Sequence, residues 1–440
     1  MRWLNLVERV RESLWFLPGV MALCAAGLAF LTVWVDVKVP ERWVQDMGWV
    51  YSGGASGASA VLGTVASSIV TIMGVVFSMT LVALSLASTQ FGPRILRNFM
   101  RDRSNQAVLG VFVATFLYNL LVLRTIRRET EGEFVPRISV TVGVAMALAS
   151  VGVLIYFIHH VSVSIQADEI IGRVNRELMQ GMERLYPERM GEGAAEKGGE
   201  AERLCAGEGR AIGSEGDGYV QVIDPEQLVS AAEKWDVVVR VERRPGQYVS
   251  CGEALARCWP LERGKEELVV EVRRAFGVGD QRTPQQDVEF AVLQLVEIAV
   301  RALSPGVNDP FTAITCVDRL GSALRRLAER EMPSAERRGK DGKLRVIAAG
   351  PTFPRVLEAA FDQIRQNARG SAAVTLRVLE ALRSVAEKTT RVGDREAVRR
   401  QAEAVMIGAR EVLRAPGDLR AAEERYGGVM RELGEEQGGY

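Results

Sequence analysis

The sequence predicts an α-helical polytopic membrane protein with four transmembrane helices and a cytoplasmic α+β region, a small β-barrel or sandwich followed by a helical bundle. Three observations carry this. Residues 47–93 pass 47 positions without one Asp, Glu, Lys, Arg or His, whereas a helix needs only roughly 20 apolar residues to cross a bilayer core. Three further stretches, at about 14–35, 106–123 and 138–158, are uncharged and predominantly apolar, the first of them from end to end. From residue 166 onward the chain becomes strongly charged, with short alternating runs first and helical periodicity after them.

The first element, 1–13, places Trp3, Leu6, Val7 and Val10 near one helical face and Arg2, Arg9 and Arg11 elsewhere. It reads as an interfacial helix leading into the membrane domain, 14–165. The span at 14–35 is too long for a signal peptide and lacks a small-residue cleavage pattern after Asp36, so it is expected to remain as an anchor. Trp43, Trp49 and Tyr51 then suit an aromatic belt at the opposite surface. The second span, 61–88, would extend roughly 42 Å as a helix, so it must tilt or emerge from the bilayer. Phe91-Gly92-Pro93 ends it, and Ile95, Leu96, Phe99 and Met100 alternate with Arg94, Arg97, Arg101 and Arg103 in an amphipathic elbow.

Orientation follows from Lys and Arg near the span ends. Nine basic residues (Arg2, Arg9, Arg11, Arg94, Arg97, Arg101, Arg103, Arg173, Arg176) lie on the side of the termini, and six (Lys38, Arg42, Arg124, Arg127, Arg128, Arg137) on the other. Four spans put both termini on one side, and the bias assigns that side to the cytoplasm of a bacterial inner membrane.

Beyond the spans, 166–187 reads as a helical stalk. The Gly-, Glu- and Ala-rich 188–217 reads as a low-complexity loop with almost nothing to bury, so trimming it should cost little stability. In 218–280 the β-type runs 219–223, 237–241, 248–249 and 268–272, broken by Arg244-Pro245-Gly246, fit a small β domain. From 281 to 440 the period is helical. Thr283-Pro284-Gln285-Gln286 reads as a capping box and Asp309-Pro310 as a second helix start.

Three groups of residues are candidate sites. Gly63, Ser67, Gly74, Ser78 and Ser85 form a 3.5-residue stripe of small residues on the second span. Such a stripe either packs closely on another helix or lines a water-filled axis in an oligomer. His159 and His160 end the fourth span. Adjacent residues point to different helix faces, so they suit interfacial anchoring or a pH-sensitive contact rather than a metal site. Arg282, Thr283, Asp287, Asn308 and Asp309 bracket one helix, either as caps and turn residues or as a small polar ligand or ion site.

Several function classes lose support. No phosphate-cradling loop, HExxH or GxSxG motif is present, and no histidine lies outside the 159–160 pair. The commonest general base is thus missing from the soluble part, and no enzymatic role, cofactor or metal is expected. A net charge of zero gives no argument for nucleic acid. The five scattered cysteines suggest a reducing compartment. What survives is an oligomeric channel-like protein gated or assembled by its cytoplasmic domain, or else a non-conducting sensor or scaffold whose soluble domain binds a protein or small ligand. The expected partners are the bilayer and further copies of the chain.

The segments Ser13-Leu14-Trp15-Phe16-Leu17-Pro18, VVFSMTLVALSLASTQFGPR (75–94), VLGVFVATFLYNLLVLRT (108–125), LIYFIHHVSVSIQ (154–166) and RALSPGVNDPFT (301–312) together resemble a family. It is the bacterial predicted membrane proteins of domain-of-unknown-function family 2254. The resemblance implies membrane location and topology, and brings no activity or catalytic residues with it.

Overall fold

A computed structural model describes residues 15–39, 50–92, 102–127, 134–186 and 199–434. The interfacial helix expected over 1–13, Trp43 and Trp49 of the aromatic belt, and the elbow after Gly92 as far as Arg101 lie outside the described residues. The chain divides into two compact units, 1–169 and 170–440.

Among its described residues the first unit contains four helices long and apolar enough to cross a membrane: α1 (Phe16–Lys38), α2 (Ala55–Phe91), α3 (Arg103–Leu123) and α4 (Arg137–Ser164). α3 is the central one, with half of its apolar window buried against 17–22% for the other three. Two apolar layers surround it. Ala25, Ala29, Ala58, Leu62, Tyr118 and Val140 form one, and Ile69, Val76, Ala83, Phe112, Phe157 and Val161 form the other. α2 supplies Leu62, Ile69, Val76 and Ala83 at seven-residue steps, the seam expected of helices supercoiled on one another.

Several polar groups inside this bundle pair with one another, as lipid offers no partner, whereas the buried Asn105 side chain and the Asn119 side-chain oxygen have no hydrogen-bond partner among the described residues. The Thr32 and Tyr118 hydroxyls lie 2.9 Å apart, and Tyr118 donates onward to the Ser139 carbonyl at 3.1 Å. Thr115 and Ser150 hydroxyls meet at 3.0 Å. Pro136, before α4, has no side chain to cap it. Asp36 near the end of α1 does so instead, accepting from the Ile138 and Ser139 amides at 2.8 and 2.9 Å.

The second unit begins with most of α5 (Ala167–Leu185), which buries Ile170, Ile171, Val174, Leu178 and Met182 on one face. After the short α6 (Glu200–Leu204) come β1 (Arg210–Gly213), β2 (Gly218–Ile223), α7 (Pro225–Trp235), β3 (Val238–Val241), β4 (Tyr248–Val249), β5 (Ala254–Trp259), α8 (Glu266–Arg274) and β6 (Phe276–Gly279). α9 (Val288–Ala302) and α10 (Pro310–Ala328) precede a hairpin of β7 (Glu336–Arg338) and β8 (Leu344–Ile347). The helices α11 (Phe353–Asn367), α12 (Ala372–Ala386), α13 (Val392–Val412) and α14 (Pro416–Glu432) complete the unit.

No closed barrel forms among the described residues. The strands make two open sheets, β1-β5-β3-β8-β7 and β4-β2-β6, with β3 and β8 parallel and every other pair antiparallel. α7 and α8 contribute Leu228, Ala232, Leu268 and Val272 to the core of this region. Four expectations are thereby corrected. Residues 268–272 are helical, because Leu268, Val269 and Val272 fall on one face of a 3.6-residue turn, with Glu266, Glu267, Arg273 and Arg274 at its ends. Part of the expected low-complexity loop, 210–213, is a strand whose Ile212 is wholly buried, so trimming through it removes a core residue. The hairpin of β7 and β8 interrupts the expected all-helical region, since β8 pairs with β3 about a hundred residues earlier in the chain. Finally, the helix after Thr283 starts at Val288, and Asp287 rather than Thr283 caps it.

Candidate functional site

Two places bring together the residue types that suggest a role. One is the outer face of α2. Its apolar seam turns inward, which leaves a second heptad outside: Thr64, Thr71, Ser78 and Ser85 at one position, Ser67, Gly74 and Leu81 at the other, all exposed. Of the stripe named from sequence, Gly63 is half-buried and Ser67, Gly74, Ser78 and Ser85 are exposed. A Cβ added at Gly63 or Gly74 would meet nothing within 4 Å. Among the described residues, therefore, no other helix covers Ser67, Gly74, Ser78 or Ser85. Hydroxyls along it donate back to the same helix, Thr64 to the Ala60 carbonyl at 2.7 Å and Thr71 to that of Ser67 at 3.1 Å. These two donors are satisfied within the helix, and the small side chains of the face permit a close helix–helix approach.

The histidines separate. His159 is exposed, whereas the His160 Nε2 lies 2.9 Å from Oδ2 of Asp102 and its ring stacks on Tyr156 at 5.6 Å. The other oxygen of Asp102 accepts from the Ser104 amide at 2.9 Å and caps α3. One carboxylate thus ties the start of α3 to the end of α4.

The second place is a cavity of about 370 Å³ in the second unit. The chain that shapes it begins with the turn Arg244-Pro245-Gly246, whose Gly246 adopts φ +88° and donates to the Val220 carbonyl at 2.8 Å. That left-handed conformation favours glycine. It brings the turn against Asp287, which accepts from Arg282 Nε and Nη2 at 2.8 and 2.7 Å and caps α9 through the Phe290 amide at 3.1 Å. Arg244 and Arg355 share Glu289, at 3.0 and 2.8 Å. Gln286 pairs through its amide with both backbone groups of Ile223 at 2.9 Å, fixing the loop to β2. Tyr186 is wholly buried and donates to the Pro351 carbonyl at 3.0 Å.

Ile223, Leu228, Val241 and Val346 make the apolar part of the cavity, and Arg184, Arg244 and Arg337 supply positive charge at its wall. Burial pushes the Asp287 carboxyl up, with Arg282 opposing it. Burial also lowers Arg244, opposed by Glu289, and raises the Tyr186 phenol. An apolar pocket with a few convergent charged groups is the usual form of a small-molecule site.

Of the residues singled out from sequence, Arg282 and Asp287 meet, and Asp287 lines the cavity. Thr283 bonds instead to the Gln221 carbonyl at 3.4 Å. Asn308, exposed and left-handed at φ 49°, and Asp309, which caps α10 through the Phe311 and Thr312 amides, lie beyond the far end of α9, whose 15 residues extend about 21 Å. Tyr186, Arg244, Glu289 and Arg337 were not singled out. In the sequence Arg244-Pro245-Gly246 reads as a strand breaker, although a glycine beside an arginine in a tight turn also signals close backbone approach.

A family profile described as a predicted membrane protein (DUF2254) matches residues 11–384. Uncharacterised proteins from Mycobacterium bovis and Mycobacterium tuberculosis are each 32% identical over 413 residues, covering 92% of this chain and 77% of the relative. No solved structure matches.

Proposed function

The chain belongs to the DUF2254 family of predicted membrane proteins, and from that premise we propose that it is an oligomeric, channel-like protein assembled through the outer face of α2. The observation that carries this reading is the exposed heptad of Thr64, Ser67, Thr71, Gly74, Ser78 and Ser85. A 3.5-residue repeat suits left-handed supercoiling of identical helices. Where several copies converge, the same hydroxyls would line an axis. The lack of any histidine in the second unit supports a non-enzymatic role.

A Ser78→Cys variant tests this, with Cys24, exposed on α1, first replaced by Ser. In liposomes the introduced thiol should cross-link between copies, react with water-soluble thiol reagents, and reduce ion flux once modified. Ser78→Phe should leave monomers, because close backbone approach is lost. An assembled Ser78→Cys protein with an unreactive thiol and no flux would end the channel reading. The nine-to-six basic bias supports an inner-membrane location with both termini cytoplasmic. Cysteine labelling after residues 50, 100, 130 and 220 should then report outside, inside, outside and inside. A periplasmic label after 220 overturns that orientation.

A second reading, a non-conducting sensor or scaffold, is favoured by a separate observation, the arginine-lined cavity of the second unit.

A further inference from the structure

We infer that this cavity is a binding site for a small organic anion, an oxyanion (carboxylate or phosphate ester) carried on an apolar body. The inference deepens the reading of the second unit as a ligand-binding region and rests on it.

Charge selects the sign of the ligand. The two carboxylates at the cavity, Asp287 and Glu289, are already engaged, Asp287 by Arg282 and Glu289 by both Arg244 and Arg355. A cationic ligand would therefore have to displace an existing guanidinium from a largely buried pair. Arg337 is different. It sits on β7 opposite Val346, half-buried at the cavity wall, and its guanidinium donates to the carbonyls of Ser334 and Glu336. Among the described residues it meets no carboxylate within ion-pair distance. Its charge is held in place by neutral acceptors and left unneutralised among the described residues, and a planar guanidinium suits bidentate recognition of carboxylate or phosphate. Among the described residues three arginines, Arg184, Arg244 and Arg337, line the cavity with two carboxylates, Asp287 and Glu289, both of which are already paired.

The apolar lining selects the rest of the ligand. Ile223, Leu228, Val241, Val346 and the rings of Pro225 and Pro351 offer nothing to a bare inorganic ion. They would bury an aromatic or short aliphatic body, at a gain of about 25 cal/mol per Å² removed from water. A volume of about 370 Å³ admits a bicyclic aromatic with its anionic group turned toward Arg337.

The test uses the full chain in phosphatidylcholine nanodiscs, with calorimetric titration of 1-naphthyl phosphate and 2-naphthoate, and with empty discs subtracted. Neutral 2-naphthamide and inorganic phosphate serve as the two halves of the ligand. Both organic anions should bind at least tenfold more tightly than either half. Arg337→Gln should weaken the anions about tenfold and leave 2-naphthamide unchanged, a selectivity that a merely structural role would not produce. Ala348→Phe, growing from the cavity wall, should abolish binding while the melting temperature is retained. Displacement of naphthyl phosphate by a single-chain lysophosphatidate points to a lipid source, and failure of that displacement to a free metabolite; both agree with the assigned chemistry. Equal binding of 2-naphthamide and 2-naphthoate, with Arg337→Gln silent, overturns the anion assignment but keeps a ligand site. No binding of any compound overturns both.

Discussion

Asp287→Ala should lower the stability of the second unit by about 3–5 kcal/mol, the cost of breaking a buried ion pair by removing one partner. Asp287 is 4% exposed and holds Arg282 with one oxygen and the Phe290 amide with the other. The variant leaves a largely buried guanidinium uncompensated and α9 uncapped. In full-length protein, differential scanning fluorimetry should show a drop on the order of 10 °C in the transition of this unit. Asp287→Asn keeps a capping oxygen and should lose less. The pH dependence has a definite sign. Burial raises the folded-state pKa of Asp287, so the part of the stability linked to its protonation is fully present below the ordinary carboxylate value and is lost as pH rises through the raised one, whereas the ion pair that Asp287→Ala breaks is formed above it. Asp287→Asn should flatten stability over that window. A loss within about 0.5 kcal/mol for Asp287→Ala, the range of ordinary surface substitutions, would show that the pair holds nothing together.

Gly246→Ala should be nearly as damaging, and Gly252→Ala supplies its internal standard. Both glycines are left-handed, at φ +88° and +83°. A Cβ at Gly252 would meet nothing within 4 Å, so that variant bears only the backbone strain, about 1–2 kcal/mol. At Gly246 the Cβ would collide with Asp287 Oδ2 and lie 2.6 Å from its Cγ and 2.9 Å from Arg282 Nη2. Either the turn or the ion pair must move, and an added loss of at least about 2 kcal/mol is expected, since a displaced pair leaves buried charge unpaired. Chemical denaturation of the two variants side by side measures the difference. Equal losses would mean that the turn does not hold Asp287 in place.

The parts of this molecule legible in the sequence are those governed by neighbours along the chain. A membrane helix declares itself by an unbroken apolar run, and four such runs recur as α1 to α4. Asp309 followed by Pro310 could be read as a helix start because a cap acts within one turn, and Asp309 accepts from the amides two and three residues on. Thr283 carried the same local pattern and misled, because Gln286 turned to the backbone of Ile223 and delayed the helix to Val288. Strands were harder. β1 has a single deeply buried apolar residue, Ile212, and its identity as a strand depends on pairing with β5 more than forty residues later.

The sequence by itself determined that this is a membrane protein with a charged, sheet-and-helix second unit, since hydrophobicity and its period are properties of the chain before it folds. On α2 it showed two heptads at once, Leu62, Ile69, Val76 and Ala83 beside Gly63, Ser67, Gly74, Ser78 and Ser85. Only the tertiary structure decided which faces inward, because α3 and α4 bury the bulky set and leave the small one outside. The cavity likewise exists only in three dimensions. Its walls run from Arg184 to Pro351, and no local rule along the chain brings a buried tyrosine, a glycine turn and an unneutralised arginine around one space. Sheet pairing and side-chain packing do, through contacts between residues far apart in sequence.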